Sequence, residues 1–193
     1  MRATDNRYRG EKARFELAMR MIQHEARTGT IRYFTGLSDD RIRKLYTSYF
    51  KFNDAATVKR RRGKSPTQIA PLVQTPERAL ESGVFVSLLR ANGLVADAEM
   101  DDPVLRGSVD LGHRFCQCYE THLVVVPDPA LSFEWAWNLL LGIRRGDELG
   151  VTRCPDCATS YVYDLLALPQ SSCPACISMK HQHYGPRVAS SMI

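Results

Sequence analysis

The chain has 193 residues, of which 44% are hydrophobic, and its formal net charge is +5. This length allows one substantial domain or two small ones, and this composition allows a real hydrophobic core. The sequence contains no run of about 18 apolar residues, so it predicts no membrane span. Its basic first residues lack the apolar segment of a secretory signal. Cysteines kept free for metal fit a reducing compartment, so we expect a cytoplasmic protein.

The charge is divided unevenly along the chain. Residues 1–64 contain 17 Lys and Arg and 7 Asp and Glu, a net charge of +10, whereas residues 65–193 have a net charge of −5. Such an asymmetry indicates that the first third binds a polyanion. A solvated basic surface without a partner is the alternative that charge alone leaves open.

The apolar periodicity predicts an amphipathic helix over residues 11–28. Phe15, Ala18 and Ile22 recur at spacings of three and four residues, which puts them on one helical face. A helix of this kind belongs to a core or, near a terminus, to a partner interface, and the pattern favours the core.

The next stretch has the pattern of a helix-turn-helix. A short helix over residues 28–35 is followed by Gly36, which tolerates the positive φ of a turn, and by Ser38, a good N-cap for a second helix. Ile31 and Leu37 are expected to join the small core that fixes the angle between the two helices.

The second helix of this motif is predicted to bury one face and expose the other. Ile42, Leu45 and Tyr49 recur at helical spacing and predict the buried face. Basic and hydroxyl side chains on the outer face would suit guanine edges and phosphates in a DNA major groove. These outer residues are Arg41, Arg43, Lys44 and Thr47.

Two features of this motif weigh against DNA binding. Asp39 and Asp40 would repel phosphates at the start of the second helix. Arg32 occupies a position that is usually small in helix-turn-helices that bind DNA. A purely structural helical hairpin is therefore the alternative.

A dense cationic run follows, within residues 51–75, which are predicted to form a loop. Blocks of like charge resist packing and often act as arms on nucleic acid, where each neutralised phosphate releases counterions. We expect a phosphate-contacting arm, with a solvated linker as the alternative. The cations of this arm are Lys59, Arg60, Arg61 and Arg62, followed by Gly63 and Lys64.

Apolar patterns predict helices over residues 76–95 and 131–145. Thr75 is the expected cap of the first, and residues 111–119 are predicted to be helical as well. The β-branched run 122–126 is predicted to be a short strand or a buried segment.

His113, Cys116, Cys118 and His122 form a group of possible metal ligands. A C-x-C pair can chelate, but its spacing is poor for a tetrahedral site built from one helix. Core cysteines and two semi-exposed histidines are therefore favoured over a second metal site.

Four of the six cysteines form two C-x-x-C pairs, Cys154 with Cys157 and Cys173 with Cys176. A two-residue gap lets both thiolates of a pair turn onto one ion, and two such loops complete a tetrahedron around Zn²⁺. Because four thiolates leave no position open for substrate water, this zinc is predicted to be structural. Disulfides or a redox motif are alternatives, but no βαβ pattern surrounds the pairs.

Together these patterns predict a mostly α protein with a small β-containing module. Residues 1–64 would form a basic helical region with the helix-turn-helix-like motif and the arm. Residues 65–149 would form a central helical core with subunit contacts. Residues 150–180 would form a four-cysteine zinc module with short β-strands, including one at Tyr161-Val162-Tyr163. Residues 181–193 are polar and are predicted to form a disordered tail.

Several short motifs occur along the chain in a fixed order. They are Ala18-Met19, Ala26-Arg27, Leu37-Ser38, Arg41-Ile42, Lys44-Leu45-Tyr46, Ser65-Pro66, the Trp-containing apolar helix and the two C-x-x-C pairs. In this order and at this length, nearly the whole chain resembles the FlhC family, the C subunits of the bacterial flagellar master transcriptional regulator.

The resemblance implies a cytoplasmic, largely helical protein that assembles with the partner subunit FlhD into a hetero-oligomer. It implies binding to promoter DNA and activation of transcription with RNA polymerase, at flagellar operons that include the gene for the flagellum-specific sigma factor. It also implies that one zinc ion per chain is held by Cys154, Cys157, Cys173 and Cys176.

Two other functions compete with this expectation. A zinc-stabilised adaptor would bind protein only, and its partner would make all DNA contacts. An enzyme is disfavoured, because the sequence contains no helical H-E-x-x-H, no nucleophile elbow and no phosphate loop.

Overall fold

The computed structural model describes residues 3–51, 58–61, 63, 67–68, 70–95, 106–168 and 173–183. Within these residues the protein is mostly helical, with a small two-stranded antiparallel sheet near the C-terminus. The predicted fold class is therefore confirmed. None of the described helices combines the length and the apolar character that crossing a membrane requires.

Along the described chain, seven helices are followed by a β-hairpin and then by a last helix. The helices are α1 (Ala3–Gln23), α2 (Thr28–Thr35), α3 (Asp39–Tyr49), α4 (Ala70–Val73), α5 (Pro76–Ala91), α6 (Val109–Val125), α7 (Phe133–Arg145) and α8 (Pro174–His183). The strands are β1 (Leu149–Arg153), which follows α7, and β2 (Ser160–Asp164), which precedes α8. The bounds of α2 agree with the prediction, whereas α1 begins well before residue 11.

The prediction that residues 122–126 form a short strand or a buried segment is wrong, because α6 continues through this run as far as Val125 and exposes Leu123, Val124 and Val125. The Val126 backbone N–H still donates to the His122 carbonyl at 3.0 Å. Burial of Tyr119 and Phe115, one and two turns earlier, favours propagation of the helix, and this tertiary context outweighs the β-propensity of the valines. Val124 is consequently 84% exposed.

The core is organised around Phe115 of α6. Its ring lies 5.1–6.0 Å, between centroids, from the rings of Phe34, Phe85, Phe133 and Trp137. These partners come from α2, α5 and α7, so one cluster of rings connects four helices. The first helix of the predicted helix-turn-helix is thereby fixed to the centre of the protein.

The β-hairpin packs directly on α5. Leu149 of β1 pairs with Asp164 of β2, and Val162 in the middle of β2 is fully buried in the main core. At Gly83 of α5 the backbone of Ser160 and Tyr161 comes so close that no side chain fits between helix and strand. The hairpin that carries the first cysteine pair is therefore seated on the helical core.

We expect Gly83→Ala to be strongly destabilising. A Cβ at this position would overlap the Ser160 carbonyl oxygen and lie 2.8 Å from the Tyr161 Cα, both of which are backbone atoms that cannot rotate away. Overpacking of this kind costs about 1–3 kcal/mol or more of the free energy of unfolding, measured by denaturant titration.

Gly29→Ala in α2 is the matched control for this substitution. A Cβ at Gly29 meets nothing within 4 Å, so the greater helix propensity of alanine is expected to stabilise the protein by about 0.5–1 kcal/mol. Equal effects of the two substitutions would contradict the close packing of α5 against β2.

A charged cluster joins α1 to α6. Arg20 donates two hydrogen bonds to Glu120, from Nε to Oε1 at 2.7 Å and from Nη2 to Oε2 at 2.6 Å, and His24 Nε2 lies 2.9 Å from Oε1. The hydrogen bonds from Arg20 lower the pKa of Glu120 from 4.5 to about 2. This carboxylate therefore stays ionised in the folded protein well into acid.

The contribution of Glu120 to stability is expected to depend on pH. Because its pKa is lower in the folded state than in the unfolded state, the contribution is complete above about pH 5 and is lost as the pH falls towards 2. Glu120→Gln should therefore unfold more easily than the wild type at pH 6, and the difference should shrink in denaturant titrations as the pH is lowered from about 5 towards 2. A difference that does not change with pH would contradict this account.

Candidate nucleic-acid interface and metal centre

The turn between α2 and α3 has the local geometry that its residues predict. Gly36 ends α2 with a φ of 67°, and its N–H donates to the Arg32 carbonyl at 2.8 Å. Ser38 is the N-cap of α3, and its Oγ accepts from the Arg41 backbone N–H at 3.4 Å. The direction in which α3 leaves the turn is therefore set by one glycine and one serine.

Near the turn, the small core that holds the two helices of this motif together also forms as predicted. Ile31, Leu37 and Ile42 are buried, and Leu45 is half-buried. Tyr49, which was predicted on the same buried face, is 59% exposed. Because the contact of α3 with the core already weakens at Leu45, the last turn of α3 extends beyond it.

A carboxylate from α7 holds the start of α2. Arg27 is the N-cap residue of α2, and its guanidinium has no acceptor atom with which to cap the helix. The buried Glu134 instead accepts from the Arg27 backbone N–H at 2.7 Å and from Thr30 Oγ1 at 3.1 Å. A negative charge at a helix N-terminus is favourable, so Glu134 stabilises α2 and fixes it to α7.

The outer face of α3 is exposed and basic. Arg41, Arg43, Lys44 and Thr47 all lie on it, as predicted. Arg41 pairs with Glu11 of α1 at 3.0 Å and lies over the Phe15 ring at 5.6 Å from its centroid. The Thr47 hydroxyl donates to the Arg43 carbonyl at 2.9 Å, which keeps this hydroxyl close to the helix surface.

The two aspartates at the start of α3 are paired with arginines. Asp39 accepts from Arg32 at 3.1 Å, and Asp40 accepts from Arg43 at 2.7 Å. These pairs reduce the repulsion that the aspartates would exert on a phosphate. Arg32, whose size was an objection to DNA binding, lies on the surface and pairs with Asp39.

The basic arm lies against the helix-turn-helix at residues 58–61. The Tyr46 hydroxyl of α3 donates to the Val58 carbonyl at 2.9 Å, and the Arg60 guanidinium lies 5.9 Å from the centroid of the Tyr46 ring. Glu25 accepts from the Lys59 backbone N–H at 3.3 Å and from Arg61 Nε at 2.8 Å. The described part of the arm is therefore attached to α3 and to the turn between α1 and α2.

Other members of the predicted arm cannot be placed in this way. Arg62 and Lys64 lie outside the described residues, as do Ser65 and Pro66, which follow the arm. Most of the predicted tail, residues 184–193, also lies outside them.

Three acidic residues of this region were not singled out from the sequence. Glu11, Glu25 and Glu134 each bind a group that is distant along the chain. Glu25 also has a φ of 58°, which is rare for a residue other than glycine and ends α1 sharply. In the sequence, the one sign of such a role was the position of each carboxylate near the end of a predicted helix. That position does not reveal which distant group the carboxylate binds.

The four paired cysteines lie together at the end of the β-hairpin. Cys154 and Cys157 follow β1, Cys173 directly precedes α8, and Cys176 lies in the first turn of α8. All four Sγ atoms lie within 4.8 Å of one another, so the cluster could hold a metal ion. This convergence of two segments is the arrangement that the spacing predicts.

The distances between the sulfur atoms suit a metal ion with tetrahedral coordination. Cys154 and Cys176 have their Sγ atoms 4.0 Å apart, and Cys157 and Cys173 have theirs 3.4 Å apart. Zinc with Zn–S bonds of about 2.3 Å requires sulfur atoms about 3.8 Å apart. The donor set and its spacing therefore fit zinc.

The electrostatics of the cluster favour a cation. Hydrogen bonds from Thr159 lower the pKa of Cys157 to about 6, whereas the neighbouring sulfur atoms, first that of Cys173, raise the pKa of Cys176 to about 12. Four thiolates cannot ionise side by side without a positive charge among them. A metal ion at their centre would stabilise all four thiolates at once.

The second group of possible ligands does not converge. Cys116 and Cys118 are buried, and burial raises the pKa of their thiols to about 12 and about 11. His113 Nδ1 lies 3.1 Å from Arg20 Nη1, and His122 pairs with Glu81 at 2.9 Å. The core role of the cysteines is confirmed, but His122 is fully buried, and its predicted semi-exposure is wrong.

No protein-family model matches this chain, and no curated protein matches it either.

Proposed function

We propose that this protein is a DNA-binding subunit of a transcriptional activator. In this proposal α3 enters the major groove of a promoter, and the arm contacts the phosphates beside it. The observation that carries the proposal is the attachment of the arm to α3 and to the turn between α1 and α2, through Tyr46 and Glu25. This attachment joins two basic elements that are separate in the sequence into one surface.

The ion pairs on this surface are compatible with such binding. Arg41, Arg43 and Arg61 each pair with a carboxylate, and all three side chains are more than half exposed. Exposed pairs contribute only about 0–1 kcal/mol, whereas hydrogen bonds from Arg to phosphate are charge-assisted and bidentate. Exchange of a carboxylate for a phosphate therefore costs little.

We further propose that the four-cysteine cluster holds one structural Zn²⁺ per chain. Cys154, Cys157, Cys173 and Cys176 would occupy all four positions of the ion and leave none for a substrate. Bound there, zinc would supply a crosslink between the β-hairpin and α8. Leu80 of α5 packs against the same cluster, so the crosslink would also support the helical core.

The proposed complex contains more than this chain. One short helix offers few base contacts, and specific DNA interfaces bury on the order of 1,000 Å² or more of protein surface. The resemblance to the FlhC family supports a hetero-oligomer with an FlhD-like subunit in the cytoplasm. It also supports activation with RNA polymerase at flagellar operons, including the gene for the flagellum-specific sigma factor.

The test of the proposed function is a salt titration of duplex binding. We expect the full chain, together with any subunit that copurifies with it, to bind a labelled duplex at low salt. The logarithm of the affinity should fall linearly with the logarithm of salt concentration, by about 0.9 for each phosphate contacted. Binding that is absent at low salt would contradict the proposal.

One observation favours the alternative of a zinc-stabilised adaptor that does not touch DNA. Three of the candidate arginines already have carboxylate partners. Such balanced charges are also expected of a solvated surface that binds no DNA. In the adaptor, substitutions in α3 and the arm would leave the affinity of the complex for DNA unchanged.

A further inference from the structure

The first half of α1 projects beyond the core that buries its second half. From Leu17 to Ile22 the helix contributes several fully buried side chains, whereas residues 7–10 are all exposed. A Cβ at Gly10 would meet nothing within 4 Å, so that side of the helix is open. Within residues 7–14, Glu11 and Ala13 are half-buried and the other side chains are exposed.

The projecting half carries cations on opposite sides. At about 100° per residue, Arg7 and Arg14 lie about 20° apart on one side, and Arg9 and Lys12 lie about 60° apart on the other. Among the side chains that the structure describes, Arg7, Arg9 and Arg14 have no ion pair, whereas Lys12 pairs with Glu16 at 3.6 Å. The unmatched charge of this segment is therefore strongly positive.

The segment lacks the apolar stripe with which a helix packs on protein. Between residues 7 and 14 Tyr8 is the one large side chain with apolar character, and it is 73% exposed. Helix surfaces that bury in a protein partner carry apolar residues at spacings of three and four. A helix with cations on two opposite sides instead fits between the two phosphate strands that border a DNA groove.

The projecting half is continuous with the proposed DNA-binding surface. Glu11 of α1 pairs with Arg41 of α3 at 3.0 Å, and Phe15, one turn further, lies under the same guanidinium. A duplex that meets α3 therefore lies close to the exposed residues of α1.

We propose that residues 7–14 of α1 form a second DNA-contacting helix, which clamps backbone phosphates beside the site that α3 occupies. This inference rests on the proposed function, since it concerns the same duplex. Its contacts are to phosphates, so they add affinity and salt dependence without adding sequence preference. Gly10, which weakens an exposed helix, lets the helix backbone approach the duplex closely.

The test compares matched variants of the full chain, with any copurifying subunit, by fluorescence anisotropy on a labelled duplex between about 50 and 200 mM salt. The α1 variant replaces Arg7, Arg9 and Arg14 with glutamine. The control variant removes the same charge from later helices, by glutamine substitution at Arg78, Arg114 and Arg145. Circular dichroism establishes that each variant keeps its helices.

We expect the α1 variant to bind more weakly and to lower the salt slope by about 2 to 3, at about 0.9 per phosphate, while the control variant keeps the wild-type slope. Hydrogen exchange should show protection of residues 7–14 when the duplex is added. The preference for promoter over unrelated duplex should not change in the α1 variant.

Other outcomes separate this inference from the function on which it rests. If the α1 variant behaves like the control while Arg43→Ala weakens binding, the inference is wrong and the proposed function stands. Loss of a copurifying subunit from the α1 variant, with duplex binding retained, would identify this helix as a protein contact and also overturn the inference. If the wild type binds no duplex, both proposals fail.

Discussion

Arg43→Ala should weaken binding to a promoter duplex by about 5- to 150-fold, which corresponds to about 1–3 kcal/mol for one base-edge contact. The side chain is exposed on the outer face of α3, where its described partner is Asp40 at 2.7 Å. Loss of that exposed pair should change the free energy of unfolding by less than about 0.5 kcal/mol. Affinity and stability are therefore expected to respond separately.

The matched control for this substitution is Arg145→Ala. Arg145 ends α7, is similarly exposed, and pairs with Asp147 at 3.8 Å, so its removal changes the net charge by the same amount. Fluorescence anisotropy on promoter and unrelated duplexes measures both variants. If the two variants bind the promoter with equal affinity, the proposed contact of α3 with DNA through Arg43 is wrong.

Removal of metal from the four-cysteine cluster should lower the Tm by about 10 °C or more. Metal ligation supplies much of the folding free energy of small zinc modules, and a loss of about 3–5 kcal/mol shifts the Tm of a protein of this size by about 10–15 °C. Because Gly83 and Leu80 of α5 contact the module, the loss should extend into the helical core. Thermal unfolding with and without a strong chelator measures the effect.

Cys176→Ser and Cys118→Ala provide the comparison for this result. Cys176→Ser removes one sulfur from the cluster, so this variant should bind less zinc. Its Tm should then change little when the chelator is added. Cys118 is buried beside α5, with its Sγ 3.5 Å from the Leu88 carbonyl, and Cys118→Ala should keep one equivalent of zinc and the full response to chelator. A wild-type protein that purifies without metal and ignores the chelator would contradict the zinc proposal.

The features that could be predicted from the sequence are those that depend on neighbouring residues. The bounds of α2, the positive φ of Gly36 and the cap at Ser38 each follow from a few adjacent side chains. The strand at Ser160–Asp164 and the meeting of the two cysteine pairs follow from alternation and from ligand spacing. In each case the local pattern admits few alternatives.

The features that could not be predicted depend on distant parts of the chain. Glu134 caps a helix whose N-cap residue, Arg27, is 107 positions away. The helical state of residues 122–125 depends on the packing of the earlier turns of α6, which their own β-branched side chains do not reveal. Tyr49 has the spacing of a buried residue, but α3 leaves the core before reaching it.

The attachment of the arm is the most consequential of these distant contacts. A run of cations predicts a segment that avoids packing. Here the attachment uses the Val58 carbonyl and the Lys59 backbone N–H, through Tyr46 and Glu25, as well as the Arg61 guanidinium, which donates to Glu25. The account of DNA binding therefore depends on the neutral residues of the arm as much as on its charges.

The most direct test of the central claim is a cross-linking map with photoactivatable DNA on the purified complex. If α3 and the attached arm form the DNA interface, residues 28–64 should carry adducts, with the densest on α3. A map in which every adduct lies on a partner subunit, and none on these residues, would contradict the claim.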